Sequence, residues 1–368
     1  MDSGKKTINH VEIRKILPVQ DGYRMPGEYE PHRGCILIWP ERPGSWRNGA
    51  REARKAFAEV IRAIAKSEEV YLAASEESLS GARQLAESLS EDSTLHPVCV
   101  FQAETDDAWA RDVGPTFVTD GQEVRGINWE FNAWGGNEDG LYASWEKDND
   151  FAPFFCEKED YRWYDARPFV LEGGSIESDG LGTLLTTSEC LLSPNRNGQL
   201  NKVEIEEYLR STFHLERVLW LDYGYLAGDD TDSHIDTLAR FCSPDTIAYV
   251  QCRDVNDEHY EELHQMEEQL KTFQTLAGEP YKLLALPMAD KIEVEGERLP
   301  ATYANFLIMN NAVLYPTYNQ PENDMRAQEV LQKAFPEHEI VGVDCRALIK
   351  QHGSLHCVTM QYPIGVIR

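Results

Sequence analysis

Short apolar segments typical of β-strands recur along the whole chain, and their recurrence restricts the fold more than any other feature of the sequence. They lie at 35–40, 70–74, 97–101, 116–118, 124–131, 167–176, 182–187, 217–221, 246–252, 281–287, 303–310, 312–316, 339–343 and 354–360. Amphipathic stretches with helical periodicity occur between them, at 49–69, 202–213, 257–277 and 324–335. Turn sequences predict hairpins within this pattern, at 119–122, 178–182 and 309–313. Because the hairpins interrupt a simple alternation of strand and helix, the sequence predicts a mixed α/β (α+β) fold and not a doubly wound sheet.

The chain shows no internal boundary and no feature of a membrane or secreted protein. Its 368 residues contain no low-complexity or Pro/Ser-rich linker, so we expect a single domain over 1–368. No apolar run is long enough for a transmembrane helix, and residues 1–30 lack the apolar core of a signal peptide. The eight cysteines include no CxxC pair, which argues against a structural zinc site and a disulfide scaffold. We therefore expect a cytoplasmic protein with free thiols.

The composition is strongly acidic, with a formal net charge of −28. A field of this sign repels nucleic acids and anionic membranes, and it attracts cations. No GxGxxG sequence opens a helix and no Walker loop is present, so a nucleotide cofactor has no support. The charge therefore permits a small cationic substrate, although most acidic proteins are acidic for solubility alone.

Reactive or charged residues stand beside apolar strand segments in a few stretches. These stretches are 106–117 with Trp109 and Asp112, 169–180 with Glu172, 228–241 with Asp230, His234 and Asp236, and 353–360 with His356 and Cys357. If 234–241 and 354–360 are strands, alternation places His234 and Asp236 on one face. It also places Cys357 and His356 on opposite faces. His234 is then a better partner for a Cys357 nucleophile than the adjacent His356.

Each of these residues also has an ordinary structural explanation. Cys357 alone is more often a buried core thiol, and His234 a satisfied buried histidine. Asp112 could form a local ion pair with Arg111, and Glu172 could be a turn residue. A catalytic metal site has less support, because neither HExxH nor another helical ligand pair occurs. From the spacing of these residues alone, a thiol hydrolase or transferase is one interpretation among several.

The same stretches resemble the agmatine deiminases of the guanidine-modifying superfamily, which also contains the arginine and peptidylarginine deiminases. The similar segments extend over nearly the whole chain, at 21–32, 38–47, 106–117, 128–136, 169–180, 186–197, 234–241, 303–318 and 353–361. Among them, "WPERPGSWR" and "FNAWGG" are typical of the agmatine-type branch, and RD, EGGS and HxD of the wider superfamily. The resemblance implies a five-bladed, pseudo-symmetric α/β propeller of the pentein type, with the active site at its centre.

The resemblance also implies roles for individual residues, none of which involves a metal or an organic cofactor. Cys357 matches the nucleophile, His234 the acid/base, and Glu172 the carboxylate that holds the histidine. Asp112 and Asp236 match the pair that binds the guanidinium. Trp109 matches an aromatic wall of the pocket. Asp230 lies where an acidic residue is expected to meet the distal amine of agmatine.

Two departures from the family pattern concern the rim of the pocket. The usual "GGGNIHC" is "QHGSLHC" at 351–357, and the usual "TNGH" is "TDSH" at 231–234. The loss of glycines and an asparagine affects the expected substrate preference more than the reaction type.

The expected reaction is hydrolysis of agmatine to N-carbamoylputrescine and ammonia through a covalent amidino-cysteine, as in polyamine biosynthesis. Deimination of free, peptidyl or methylated arginine is the nearest alternative, followed by amidinotransfer to an amine and by a non-enzymatic acidic binding module. Free arginine would need a basic partner for its carboxylate, whereas "GDDTDSH" at 228–234 is purely acidic in its charged side chains, apart from the histidine. The sequence leaves the oligomeric state open, including a homo-oligomer.

Overall fold

The computed structural model describes residues 6–8, 11–14 and 17–365. Its strands are β1 Lys6–Ile8, β2 Val11–Arg14, β3 His32–Ile38, β4 Glu69–Ala74, β5 Val98–Gln102, β6 Thr116–Thr119, β7 Val124–Glu130, β8 Trp163–Val170, β9 Ile176–Ser178, β10 Thr183–Thr187, β11 Arg217–Leu221, β12 Ala239–Ser243, β13 Thr246–Gln251, β14 Lys282–Pro287, β15 Glu293–Val294, β16 Glu297–Arg298, β17 Leu307–Ile308, β18 Ala312–Thr317, β19 Glu339–Asp344 and β20 Met360–Pro363.

Helices connect these strands. The α-helices are α1 Arg51–Ala65, α2 Leu79–Ser90, α3 Ala110–Val113, α4 Gly136–Asp139, α5 Glu146–Asn149, α6 Phe151–Lys158, α7 Ser188–Leu191, α8 Pro194–Asn197, α9 Lys202–Phe213, α10 Tyr260–Leu270 and α11 Pro321–Ala334. The 3-10 helices are Pro18–Asp21, Asn48–Ala50, Gly173–Ser175, Ile235–Thr237 and Ile349–Gln351. No helix in the described ranges has the length and apolarity needed to cross a bilayer.

Five of the sheets repeat one topology, in which an antiparallel pair is followed by a parallel strand. The units are β6-β7-β8, β9-β10-β11, β12-β13-β14, β17-β18-β19 and β20-β3-β4. β5 extends the last unit, and β2 and β1 extend the first. The last unit pairs β20 with β3, so strands that are more than 300 residues apart in sequence share one sheet.

This repeat confirms the expected mixed α/β class. It also explains why hairpins interrupted the alternation of strand and helix, since each unit contains one antiparallel pair. The arrangement of the units as a propeller and the single domain over 1–368 stay predictions.

The apolar patterns of the sequence account for the packing of the units. On α1, the predicted stripe of Ala56, Val60, Ile61 and Ile64 is buried. A capping box begins α9, where Asn201 accepts from the amides of the first turn and Glu204 accepts from the Asn201 amide over 2.8 Å. Within the described residues, three apolar clusters form the core, and the largest includes α1 and the β3-β4 sheet.

The first strand of each unit follows a short turn or a helix of a single turn that contains polar side chains. Asp112 precedes β6, Glu172 precedes β9, His234 and Asp236 precede β12, and Cys357 precedes β20. The equivalent segment before β17 contains Asn305. The repeat thus places these residues at corresponding positions of the units.

Two of these segments are not the strands that the sequence suggested. Residues 355–358 form a turn, and β20 begins only at Met360. Residues 235–237 form a 3-10 helix, and β12 begins at Ala239. The prediction that strand alternation sets the directions of Cys357 and His234 was therefore wrong, because two-residue periodicity does not apply in a turn. The predicted strand at 303–310 is also shorter, since β17 covers only 307–308.

Candidate active site

Cys357 lies in the turn before β20, and its thiol is half-buried. Its Sγ lies 3.5 Å from Asn305 Oδ1, which also accepts from the Cys357 amide over 3.4 Å. The Cys357 carbonyl accepts from the Arg111 amide over 3.1 Å. Burial and the neighbouring Asp236 and Asp112 raise the pKa of Cys357 well above its ordinary value. The free site therefore holds a protonated thiol at neutral pH.

His234 is buried and directly precedes the 3-10 helix Ile235–Thr237. Its Nδ1 lies 3.8 Å from Asp112 Oδ1, and its Nε2 has no hydrogen-bond partner within the described part of the chain. Burial opposes the charged ring, but Asp112, Cys190 and Glu172 outweigh burial and raise the pKa of His234 well above its ordinary value. His234 is therefore an imidazolium at neutral pH, in position to act as an acid.

Asp112 is a buried carboxylate whose two oxygens are held by different donors. Trp134 Nε1 donates to Oδ2 and the Gly174 amide donates to Oδ1, each over 2.9 Å. Burial and Asp236 raise its pKa to about 6, although His234 and Trp134 oppose the rise. Asp112 is thus mostly ionised at neutral pH and oriented by fixed donors.

Asp236 is fully buried and differs from Asp112 in having one oxygen without a partner. Its Oδ2 lies 2.7 Å from His356 Nδ1, whereas no described residue hydrogen-bonds to Oδ1. Burial would raise the pKa of Asp236, but the bond from His356 and the nearby cationic groups lower it below its ordinary value. Asp236 therefore keeps its charge, and Oδ1 is available to a donor from a ligand.

Glu172 lies close to His234, but its hydrogen bonds go elsewhere. Arg196 Nε donates to its two oxygens over 2.9 and 3.1 Å, and both side chains are fully buried. The resemblance implies that Glu172 holds His234 directly, but the described residues show no hydrogen bond between these two side chains. One ligand atom each from Glu172, Cys190 and His234 lies within 4.8 Å of the others, as in a potential metal site. Arg196 already supplies a positive charge to the carboxylate of that group.

Trp109 and Asp230 lie in the two segments that flank the Cys357 turn. The Trp109 indole packs against Gly353, four residues before Cys357, and lies 5.4 Å from the Trp46 ring at an interplanar angle of 35°. Asp230 is half-buried, and burial together with the adjacent Asp229 raises its pKa to about 7. The nearby His352 and His234 counteract that rise.

His352 connects the Cys357 segment to the acidic loop. Its Nδ1 lies 2.6 Å from the carbonyl oxygen of Gly228, two residues before Asp230. The backbone of His352 is left-handed, at φ 65°, which is the conformation that glycine adopts most readily. Its position is one at which "QHGSLHC" departs from the glycine-rich family pattern.

Several residues that contact the site were not singled out from the sequence. Asn305, Trp134, Arg196 and Glu28 contact the predicted residues directly or through His356. All of these residues lie inside the segments that resemble the family, at 303–318, 128–136, 186–197 and 21–32. The resemblance could therefore have indicated them, but their partners are distant in sequence and gave no local signal.

Comparison with known proteins places this chain in a family. The pattern of the Porphyromonas-type peptidyl-arginine deiminases matches residues 24–363. The agmatine deiminase of Pseudomonas aeruginosa (strain LESB58) is 40% identical over 94% of this chain and 97% of its own.

Solved structures give the same result. The agmatine deiminase of Enterococcus faecalis has a TM-score of 0.88 and 37% identity, over 95% of this chain and 98% of its own. The agmatine deiminase of C. jejuni with substrate bound has a TM-score of 0.83 and 36% identity, over 94% and 97%. By sequence and by structure, the chain belongs to the Porphyromonas-type peptidyl-arginine deiminase family.

Proposed function

We propose that the protein is an agmatine deiminase, which hydrolyses agmatine to N-carbamoylputrescine and ammonia. The observation that carries the proposal is the pair of buried carboxylates, Asp112 and Asp236, near Cys357 and His234. Asp112 Oδ1 lies 3.8 Å from His234 Nδ1, and Asp236 Oδ1 has no partner among the described residues. The named relatives, about 40% identical over nearly the full chain, support the substrate.

The two carboxylates suit a guanidinium, which is planar, always charged and rich in donors. Asp112 and Asp236 each accept N–H bonds from the guanidinium and fix its plane, so that its central carbon meets Cys357 Sγ. Asp236 offers Oδ1, which has no partner in the described structure, and Asp112 offers the remaining lone pairs of its two held oxygens.

The substrate itself makes the nucleophile. Asp112 and Asp236 raise the pKa of Cys357, and a bound guanidinium neutralises part of their charge. The thiol then loses its proton to solvent, and the thiolate forms beside two cations, the guanidinium and the His234 imidazolium. This order protects the free enzyme from side reactions of a permanent thiolate.

His234 moves the protons of both half-reactions. The thiolate forms the Sγ–carbon bond, giving a tetrahedral adduct, and His234 protonates the leaving nitrogen so that the carbon–nitrogen bond breaks and ammonia departs. The neutral imidazole then takes a proton from water while the oxygen adds to the amidino carbon. Collapse expels Cys357 Sγ and releases the ureido product, whose extra proton goes to solvent. Glu172, neutralised in part by Arg196, favours the charged ring through space.

The acidic loop at 228–234 supports a bare amine at the far end of the substrate. Asp229 and Asp230 lie there, and Arg196, which contacts the loop, is already paired with Asp232 over 2.6 Å and with Glu172 over 2.9 Å. The carboxylate of free arginine would meet these like charges, whereas the ammonium of agmatine would be attracted. Asp230 is therefore proposed as the contact for the distal amine, and Trp109 as an aromatic wall.

The test is turnover of purified protein with agmatine, arginine and a blocked peptidyl arginine, scored for ureido product and ammonia. The proposal expects agmatine to be the preferred substrate, with ammonia released without an added amine. Preference for arginine or the peptide would move the assignment to those deiminases. A strict need for an added amine would indicate an amidinotransferase, and no turnover at all a binding protein.

A cytoplasmic location and a small cationic partner, without nucleic acid or membrane, complete the proposal. They follow from the acidic charge and the free thiols of the chain.

A further inference from the structure

Among the described hydrogen bonds, the side chain adjacent to Cys357 in sequence makes none to the thiol. His356 is almost fully buried, and both of its ring nitrogens are occupied by carboxylates. Nδ1 lies 2.7 Å from Asp236 Oδ2, and Nε2 lies 2.7 Å from Glu28 Oε2. Burial, Arg111 and Arg240 lower the pKa of His356, but two carboxylates at this distance each need a donor, so we assign a proton to both ring nitrogens. The expectation that His356 does not serve Cys357 directly thus agrees with its contacts, but for a reason different from strand alternation.

Glu28, on the far side of the ring, is itself held firmly. Its Oε2 accepts from Arg240 over 2.7 Å, and its Oε1 accepts from the Ile308 amide over 2.8 Å. Arg240 is fully buried and donates from Nε to Glu177 over 2.9 Å. The partner of His356 Nε2 is therefore fixed by contacts from several units of the fold, and cannot follow a movement of the ring.

The backbone of His356 is fixed as well. Its amide donates to Asn305 Oδ1 over 2.8 Å, and Asn305 Nδ2 donates to the Asp236 carbonyl over 3.3 Å. With the backbone and one ring nitrogen held, the remaining nitrogen determines where Asp236 Oδ2 lies. The orientation of the free oxygen, Asp236 Oδ1, follows from that bond because the carboxylate is planar.

We propose that His356 is a positioning residue, anchored on Glu28, which orients Asp236 Oδ1 toward the guanidinium of the substrate. The inference rests on the proposed function, since it assigns a role to a residue that supports the guanidinium-binding pair. His356 itself touches neither substrate nor thiol, so its effect is transmitted entirely through Asp236.

A purely structural role for His356 would be to satisfy the buried Glu28. The two roles use different ring nitrogens, so amide side chains of different length separate them. An asparagine amide reaches about as far as Nδ1 of histidine, and a glutamine amide about as far as Nε2. His356→Asn therefore keeps a donor for Asp236, and His356→Gln keeps a donor for Glu28.

The experiment measures binding of agmatine and of methylguanidine by calorimetry in a Cys357→Ser background, in which chemistry does not interfere. His356→Gln is expected to weaken both ligands about 10- to 100-fold, the loss of one charge-assisted bond. His356→Asn is expected to stay within about threefold of the parent. In the otherwise native enzyme, the loss in the Gln variant is expected in KM more than in kcat, because a binding interaction is removed.

Thermal unfolding controls for the fold, since either variant leaves one buried carboxylate with a poorer partner. Affinities are compared only between variants that unfold cooperatively, and if the Gln variant does not fold, Glu28→Gln replaces it as a change at the anchor, with the same expected weakening. Equal losses in the Asn and Gln variants, or unchanged binding when His356→Gln or Glu28→Gln folds, would overturn the positioning role.

The proposed function has its own test: it is wrong if the native enzyme does not release ammonia from agmatine. Methylguanidine still reports on Asp236 in that case, because it needs only the guanidinium-binding pair. If no variant and no parent protein binds either guanidine, Asp236 does not hold a guanidinium and both proposals fall.

Discussion

At the scale of single residues, the buried charges of the site keep the Cys357 thiol protonated and the His234 imidazole charged. Two buried carboxylates raise the pKa of Cys357, and one of them, Asp112, also raises that of His234. The same charges therefore keep the proposed nucleophile, Cys357, protonated and the proposed acid, His234, charged. A cationic substrate neutralises part of the charge of these carboxylates, which lowers the pKa of the Cys357 thiol and also that of His234. Binding therefore favours the thiolate and makes the imidazolium a stronger acid.

Replacing the nucleophile tests its assignment. Cys357→Ser is expected to reduce turnover below a few per cent of the native rate, because a serine hydroxyl in this acidic site is far harder to ionise than a thiol. Folding and agmatine binding should largely survive, since the carboxylates are unchanged. Steady-state ammonia release and calorimetry measure the two properties, and substantial residual turnover would exclude Cys357 as the nucleophile.

The ionisation of Asp112 is expected to cause a fall of kcat/KM on the acid side of its pH profile (the acid limb). Its pKa is raised to about 6, so it is a carboxylate above that pH and an uncharged acid below it. kcat/KM for agmatine should therefore fall about tenfold per pH unit as pH drops below the pKa, because kcat/KM reports the free enzyme.

Trp134→Phe supplies the matched variant for this limb. It removes the donor to Asp112 Oδ2 and should move the limb upward by about one pH unit. A limb that does not respond to Trp134→Phe would have to be assigned to another group.

Asp230 predicts a specificity effect. If it binds the distal ammonium, Asp230→Asn should lower kcat/KM for agmatine about 10- to 150-fold, corresponding to about 1.5–3 kcal/mol. An alkylguanidine without the amine should be affected much less. Since the pKa of Asp230 is raised to about 7, the native preference for agmatine should increase as pH rises through 7 and the carboxyl ionises. Equal slowing of the two substrates would show that Asp230 acts through structure.

At the scale of elements, the sequence predicted regular structure well and the site segments poorly. The helix at 202–213 and the hairpin turns at 119–122, 178–182 and 309–313 are confirmed, because periodicity and turn chemistry are local. The turn before β20 was taken for a strand, since a few alternating residues do not distinguish the two. Its actual conformation depends on Asn305 and Arg111, which are far away in sequence.

A substitution at Gly353 tests how closely the segment before Cys357 is packed. A Cβ at this position would overlap the Trp109 indole, with Cη2 only 2.6 Å away. Gly353→Ala should displace the ring or the segment and lower kcat/KM at least about tenfold, in line with the cost of overpacking. The matched control is Gly81→Ala in α2, where a Cβ meets nothing within 4 Å and activity should be unchanged. Native activity in the Gly353 variant would show that the segment tolerates movement.

At the scale of the whole molecule, the site depends on contacts that no local pattern could predict. His356 and Glu28 are 328 positions apart, and the Arg240–Glu28 pair is 212 apart. The catalytic candidates were found because their residue types are unusual next to apolar segments and because they match a family. Supporting residues such as Arg240 have no comparable signal in the sequence. A buried arginine is recognised only when the positions of its carboxylate partners are known.

The net charge of −28 gives the last prediction, which concerns the approach of the substrate. Agmatine carries two positive charges at neutral pH, and methylguanidine carries one. The negative field should raise the local concentration of both, and of the dication more. Raising ionic strength from about 0.01 M to about 1 M shortens the screening length from about 30 Å to about 3 Å. kcat/KM should then fall for both substrates and more steeply for agmatine, while kcat at saturation changes little. Equal slopes for the two substrates would contradict a field effect that scales with substrate charge, and values of kcat/KM that do not change with salt would mean that the charge serves solubility alone.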